Sequence, residues 1–479
     1  MRVTGMLQLV MAASMLLPVA ASLYYKDGAQ FDLALSALAM GAAGLLFRNI
    51  LGRDPDYAIS ERESFWTTAI IWLAVPLTGS LPYLFTGVTP RAVDALFESY
   101  AGFTTCGATA LSFSQHVPEG LLVWRSMTQW FGGLGLVLFV IAVLRRLNVG
   151  GAQLYEAEFS GTVQRKLRPH LASTVGIMWR VYIALTVALL ALLLVLGNAP
   201  LPAFCVALGT VSTGGFLPAP DTLSHFSHTS LLVVACFMFL SGINIALLFY
   251  LLTFKPREVW RDEEFHVYLG VFLCAAAICF ASFLVSEQSP APGRTAMEAF
   301  FQAASSISTC GFAFPGQHRL PPAACAATFL FILVGASSGS TGGGIKWKRI
   351  MVMVKYIRNY VLRMLHPNTV RTVMINRIII TEEYVNKILA FVFLYLFFIA
   401  GGAFLLTVCG LSIPDAFLVA VSNISDVGPE NMLVRMGADF SYAALPALGK
   451  WTLMALMLVG RVEIFAFVAL FSPAYWKRG

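Results

Sequence analysis

Charge is what this sequence has least of. Asp, Glu, Lys and Arg make up only 12% of its 479 residues, against 58% hydrophobic. A soluble chain of this length needs more charge than that at its surface, so the composition excludes an ordinary soluble enzyme or binding domain. CxxC pairs are also missing. The eight cysteines lie scattered, mostly inside apolar runs, which argues against a disulfide framework or a thiolate zinc site. The seven histidines show no HExxH spacing, and neither a dinucleotide fingerprint nor an ATPase motif occurs. The net charge of +7 is placed between the apolar runs. It therefore reads as membrane topology and not as nucleic-acid binding.

What is present instead is a series of apolar runs of about 20 residues, the length that crosses a bilayer. The opening "MRVTGMLQLVMAASMLLPVAAS" has the basic start, apolar core and small residues of a signal peptide. A second apolar run, roughly 31–52, follows it within a few residues. The pair is expected to form a transmembrane hairpin, the first helix covering roughly 5–24.

Four short polar breaks interrupt the later runs: "FTTCGAT" (Phe103 to Thr109), "VSTGGF" (Val211 to Phe216), "ISTCGF" (Ile307 to Phe312) and "ISDVGP" (Ile424 to Pro429). Aligned on their first glycines they place Gly107, Gly214, Gly311 and Gly428 at intervals of 107, 97 and 117 residues. Each interval holds two spans and a short connection. Ten positions before the glycine stand Phe97, Phe204, Phe301 and Leu418; thirteen before it stand Asp94, Glu298 and Asp415, with Leu201 as the exception. An acid there suits the N-terminus of a half-length helix, where free N–H groups favour negative charge.

Basic residues cluster between these units: Arg48, Arg53 and Arg62; Arg145, Arg146, Arg165, Lys166 and Arg168; Lys255, Arg257 and Arg261; Lys346, Lys348, Arg349, Lys355, Arg358 and Arg363; and Lys477 and Arg478 at the end. By the positive-inside rule these segments and both termini are cytoplasmic, and all four glycine loops enter from the opposite side. The expected fold is an all-α integral membrane protein of about ten spans. It comprises two N-terminal helices (1–62) and four parallel helix–pore-helix–loop–helix repeats around one pore, at 63–170, 171–265, 266–382 and 383–479. Inverted repeats of a secondary carrier do not fit this charge pattern.

Non-helical backbone at membrane depth must line a polar cavity. Four loops aimed at one axis can present rings of carbonyl oxygens that replace the water shell of a monovalent cation, and the negative ends of the half-helices favour cations. The candidate filter residues are Thr105, Cys106 and Gly107; Ser212, Thr213 and Gly214; Thr309, Cys310 and Gly311; and Asp426, Val427 and Gly428. Ordinary re-entrant turns or helix-packing glycines are the plainer alternative.

A second unusual stretch is "GASSGSTGGGIKWK", Gly335 to Lys348, where a membrane helix should cross. Each glycine costs a helix up to about 1 kcal/mol relative to alanine, so a break is expected. The P-loop spacing is not met. Arg461, about halfway along an apolar run of roughly 447–472, is expected to face the cavity near this segment. The alternative is a structural pair with Glu463, though residues two apart point to different sides of a helix. Arg125 and Glu98 are candidates for a structural role only.

With these loops, their order and their spacing, the chain resembles the Trk/Ktr/HKT superfamily of potassium transporters, and within it the TrkH family with its two extra N-terminal helices. "WRSMTQWFGGLG" (Trp124 to Gly135), "VGGAQLYEAEFSG" (Val149 to Gly161), "HPNTVRTVMINRIIITEE" (His366 to Glu383) and "GRVE" (Gly460 to Glu463) resemble stretches of that family. The resemblance implies potassium uptake at a bacterial inner membrane, with potassium as the bound ion and no organic cofactor in this chain. It implies a homodimer with one pore per subunit, and regulation by a separate cytosolic nucleotide-binding subunit. It also implies that the segment containing Gly335, Ser338, Gly339, Thr341, Gly342, Gly343 and Gly344 is an intramembrane gating loop, acting with Arg461. Gly107 favours potassium, since serine there accompanies sodium transport in the HKT branch. The fourth loop departs from the pattern: Asp426 and Glu430 stand where the family usually has an uncharged residue and glycine. An acid there either strengthens cation binding or is a capped group behind the filter. The competing expectations are a sodium or other monovalent cation transporter of the same fold, and a multi-pass membrane enzyme. The enzyme would need a cluster of His, Asp, Glu or Cys at one membrane face, and the sequence offers none.

Overall fold

The computed structural model describes residues 1–49, 61–89, 91–113, 116–135, 171–286, 292–316, 320–366, 371–428, 441–462 and 464. Arg53, Arg145, Arg146, Arg165, Lys166, Arg168, Glu430, Glu463, Lys477, Arg478 and the stretch 149–161 lie outside them.

The hairpin comes first. Helices α1 (Arg2–Ser14) and α2 (Leu16–Tyr25) form one span, and α3 (Gln30–Asn49) returns against it. Small residues let the backbones approach: a Cβ on Gly5 would stand 2.6 Å from the Gly44 carbonyl oxygen. The hairpin turn carries Asp27, whose carboxylate accepts from Gly120 N at 2.8 Å and so ties the hairpin to the first repeat.

Each repeat then contributes a long first helix, a half-helix and a second helix. The first helices are α4 (Glu61–Gly79, continued by α5, Leu81–Phe85), α8 (Leu171–Val195), α12 (Glu263–Val285) and α16 (Glu382–Val408). The half-helices are α6 (Ala92–Phe103), α9 (Pro200–Val211), α13 (Pro292–Ser308) and α17 (Ile413–Ile424). The second helices are α7 (Glu119–Gly133), the pair α10 (His228–Ser241) and α11 (Ile245–Leu252), α14 (Pro322–Val334), and α18 (Ala447–Arg461). Segment α15 (Trp347–Leu365) follows α14 after the glycine-rich break.

Among the described residues six helices are long and apolar enough to cross a bilayer, and the pair α10–α11, bent by 115°, makes a seventh. Of the second helices, α10 is broken from α11 and α14 ends at the glycine-rich break before α15. Packing closes the repeats into a ring. Every half-helix lies against the first and second helices of its own unit and against the second helix of the unit before it: α7 on α9, α10 on α13, α14 on α17, and α18 back on α6.

The acids upstream of the half-helices need separate accounts. Asp415 sits in the first turn of α17, which Ser412 caps by accepting from Asp415 N. Asp94 sits in the first turn of α6, but its carboxylate is buried in an ion pair with Lys450 of α18. Glu298 lies in the second turn of α13, because that helix begins at Pro292, and it pairs with Arg294. The shared offset therefore marks a helix start in two units only.

One element lies outside the helical pattern. Strands β1 (Val373–Ile375) and β2 (Ile378–Ile380) form an antiparallel hairpin within 366–383. Its two-residue turn, Asn376–Arg377, has φ of 49° and 63°, as the twist of a tight hairpin requires. Glu263, the first residue of α12, accepts from Asn376 N at 3.0 Å and pairs with Lys355 of α15.

Candidate ion pathway

Each half-helix ends in the same way. The first residue after the turn has a left-handed φ: 62° at Thr105, 56° at Thr213, 63° at Thr309 and 53° at Asp426. For threonine, which is β-branched, this is an outlier that only surrounding structure can hold. The next amide closes back on the half-helix, from Cys106 to Ala101 O, Gly214 to Gly209 O, Cys310 to Ser305 O and Val427 to Ser422 O, at 2.9–3.1 Å.

This geometry corrects the alignment of the second loop by one residue. Thr213, and not Ser212, is the counterpart of Thr105 and Thr309, and Gly215, and not Gly214, is that of Gly107 and Gly311. Gly107, Gly215 and Gly311 share φ of 73–84°, while Gly214 has no positive φ. The sequence misleads here because "TGG" offers two glycines and only the backbone tells which turns. In the corrected register Cys205, not Phe204, stands ten residues before the glycine.

The loops meet in chain order. A Cβ on Gly107 would stand 2.3 Å from the carbonyl oxygen of Gly214, and one on Gly215 2.1 Å from that of Cys310. One on Gly311 would stand 2.5 Å from that of Gly428, and one on Gly428 3.6 Å from that of Cys106. Each loop thus lays its glycine against a carbonyl of the next, and the fourth returns to the first. At Gly107, Gly215 and Gly311 glycine is needed because backbone occupies the space where a side chain would be, whereas a Cβ on Gly428 would make only an ordinary contact.

Three side chains brace this ring: Gln129, and Glu98 and Arg125, which have the structural role expected of them. Gln129 donates from Nε2 to Gly214 O at 2.6 Å, and its Oε1 accepts from Phe216 N at 3.0 Å. Glu98 and Arg125 form a buried pair, Nε to Oε1 at 2.5 Å. Glu98 also accepts from Ala110 N at 2.9 Å, and Arg125 donates to Leu217 O at 2.7 Å with its guanidinium 3.5 Å from the Phe216 ring centre. Together they clamp the chain leaving the first loop to the chain leaving the second. The visible signal for Lys450, Arg125 and Gln129 is a polar or charged side chain within an apolar stretch, which is expensive in a membrane and finds a partner.

Beneath the loops lies the glycine-rich segment, non-helical from Gly335 to Lys346. Gly335, Gly339 and Gly344 have φ of 77–82°. The segment touches the second, third and fourth repeats. Ser337 N donates to Gly242 O and Ile245 N to Gly339 O, both at 3.0 Å, seating it in the bend of α10–α11. Ser338 N donates to the buried Glu264 carboxylate at 2.5 Å. Thr341 Oγ1 donates to Val211 O at 3.2 Å, at the end of the second half-helix. Gly343 N donates to Thr309 Oγ1 at 2.9 Å, and a Cβ on Gly343 would stand 2.0 Å from Ser425 O. Arg461 reaches across from α18. It donates to Thr341 O at 3.0 Å, to Gly133 O at 2.7 Å and to Gly132 O. The residues named for the segment and Arg461 are therefore brought together directly below the four loops.

A cavity of ≈ 60 Å³ lies beside the segment, lined among others by Asp426, Lys346, Arg349 and Arg461. That volume holds a few waters at most. Asp426 is 1% exposed, and neither carboxylate oxygen has a hydrogen-bond partner among the described residues.

The profile of the TrkH family, described as cation transport protein, matches residues 41–478. The chain is 32% identical over 483 residues to the Trk system potassium uptake protein TrkH of Salmonella typhimurium, covering 99% of this chain and 98% of that one. Against the TrkH protein of Halomonas elongata the identity is 30%, with 100% and 99% covered. The crystal structure of the potassium transporter TrkH from Vibrio parahaemolyticus superposes with a TM-score of 0.88 at 25% identity, over 99% of this chain and 98% of that one. A ring of four half-helices with glycine loops, the bilayer-length helices around it and these matches make this multi-pass membrane protein a member of the TrkH family of cation transport proteins.

Proposed function

We propose that this chain is the ion-conducting membrane subunit of a bacterial potassium uptake system. The observation that carries the reading is the closure of the four glycine loops on one another in chain order, carbonyl against glycine, at the C-terminal ends of four half-helices. Such a ring replaces the hydration of a cation of fitting size, and the helix ends make the site negative. The filter consists of Thr105, Cys106 and Gly107; Thr213, Gly214 and Gly215; Thr309, Cys310 and Gly311; and Asp426, Val427 and Gly428. Carbonyl oxygens bind the ion, and the buried clamps keep them from collapsing.

The segment Gly335 to Lys346 is the gate. It fills the space below the filter, and Arg461 holds it there while adding a positive charge to the path. Opening requires Arg461 to release Thr341. The protein works as a homodimer in the inner membrane, one pore per subunit, with both termini in the cytoplasm. A separate cytosolic nucleotide-binding subunit docks on the basic cytoplasmic face and drives opening. The relatives named as parts of a potassium uptake system support the choice of ion.

The test is uptake of radioactive rubidium into proteoliposomes loaded with potassium, with and without a proton gradient. Uptake is expected, suppressed by external potassium far more than by sodium. No uptake by monodisperse protein, with or without Arg461 neutralised, would overturn the reading.

A further inference from the structure

Asp426 is the one charged filter-loop residue, and it stands where the other three loops have threonine. Thr105, Thr213 and Thr309 each satisfy their hydroxyl by donating to the preceding carbonyl at 2.6 Å. A carboxylate has no proton to donate in that way and needs donors of its own. Among the described residues Asp426 has none, although it is buried. Its Oδ2 lies 3.2 Å from where a Cβ on Gly460 would stand, beside the residue that precedes Arg461. An unpartnered buried carboxylate is costly, and a structure that keeps one has a use for it in another arrangement.

Three cationic side chains line the same cavity: Lys346, Arg349 and Arg461. Arg349 is engaged by the Phe391 ring at 3.8 Å and by Ile345 O. Lys346 belongs to the gating segment and leaves with it. Arg461 is fixed to α18 next to Gly460, and one of its acceptors, Thr341 O, is part of the segment. When the segment withdraws, Arg461 loses that acceptor and faces a wetter, less positive cavity.

We propose that Asp426 is the alternative acceptor for Arg461: the guanidinium exchanges the Thr341 carbonyl for the Asp426 carboxylate when the segment withdraws, which stabilises the conducting state and removes the positive charge from the ion path. This rests on the reading of the chain as a gated cation conductor. Asp426 is then a positioning residue for Arg461, peculiar to the fourth loop, where the same backbone angle holds threonine in the other three.

The experiment is a double-mutant cycle on rubidium flux in proteoliposomes, using the full chain, with Asp426→Asn, Arg461→Gln and both together. Asp426→Asn loses a charge-assisted hydrogen bond and is expected to lower flux by about ten- to a hundredfold. Arg461→Gln raises it, and the double variant matches Arg461→Gln, because without the guanidinium the carboxylate has nothing to receive. Asp426→Glu restores most of the flux. Asp426→Thr, whose side chain the other loops already accommodate, should behave like Asn and guards against a folding defect of the amide. Equal loss from Asp426→Asn in both backgrounds would mean that the carboxylate acts on the ion directly and would overturn the exchange. Unchanged or raised flux from Asp426→Asn would overturn it as well. Absence of flux from every protein, Arg461→Gln included, would instead refute the transport reading, and this inference with it.

Discussion

Arg461 donates from Nη1 to the carbonyl oxygen of Thr341 at 3.0 Å, joining residues 120 positions apart. The same guanidinium reaches Gly132 and Gly133 at the end of α7. One side chain thus spans α18, the glycine-rich segment and the first repeat. Its planar fork suits three acceptors, which the point charge of lysine does not reproduce.

Arg461→Gln should therefore raise cation flux, and Arg461→Lys should raise it less. Loss of the fork loosens the segment in both, but lysine keeps the charge. A unit charge about 6 Å from a cation costs roughly 3 kcal/mol at an effective dielectric near 20, less where water enters. Rubidium flux at equal amounts of monodisperse protein measures the order; equal flux in all three would place Arg461 outside the ion path.

Deleting Gly342 to Gly344 should raise flux in the absence of any cytosolic partner. These residues lie against Ser308, Thr309 and Ser425 at the ends of the half-helices, where a Cβ on Gly343 would be 2.0 Å from a carbonyl. Shortening the segment withdraws it. Unchanged flux in a deletion that elutes as a single species would remove the gate from the account.

Gly311→Ser and Gly215→Ser should both weaken the preference for potassium over sodium. Both glycines have left-handed φ, and a Cβ on either meets a neighbouring carbonyl oxygen within about 2.5 Å. The ratio of potassium to sodium inhibition of rubidium uptake reads the effect. A Gly215 variant with wild-type preference would return the second loop to the register that begins at Ser212.

Glu98→Gln should destabilise the protein by ~3 kcal/mol or more, since it strands the Arg125 charge in a buried site. A fall in melting temperature in detergent checks this, and adding Arg125→Met should recover part of it.

Asp27 predicts a pH dependence. Burial pushes its carboxyl up, but bonds from Gly120 N, Ser22 and Ala29 N outweigh it and hold the group below its ordinary value of 3.8. A depressed folded value stabilises the fold above pH 3.8, and that contribution is lost as pH falls through the folded value below it. The difference in melting temperature between wild type and Asp27→Asn should be full at neutral pH and shrink below pH 3.8. A constant difference would show that the charge is not what matters.

Much of this was decided by the sequence alone. Scarce charge and runs of bilayer length make the chain a membrane protein, since hydrocarbon tolerates little else. The recurrence of small polar breaks at intervals near one hundred residues marks four units, and glycines within a span mark broken helices, because those are local properties of backbone and composition. Placing Arg461 near the glycine-rich segment also followed from the cost of a mid-membrane charge. Tertiary structure decided the rest. Which glycine of "TGG" belongs to the ring depends on the backbone angle at Thr213. Whether Asp94 caps a helix or pairs with Lys450 depends on α18 packing on α6, 356 positions later in sequence. That Asp426 stands without a donor among the described residues while Arg461 is engaged elsewhere follows from neither residue type. It depends on four separate segments meeting at one point, and local sequence does not encode distances between segments.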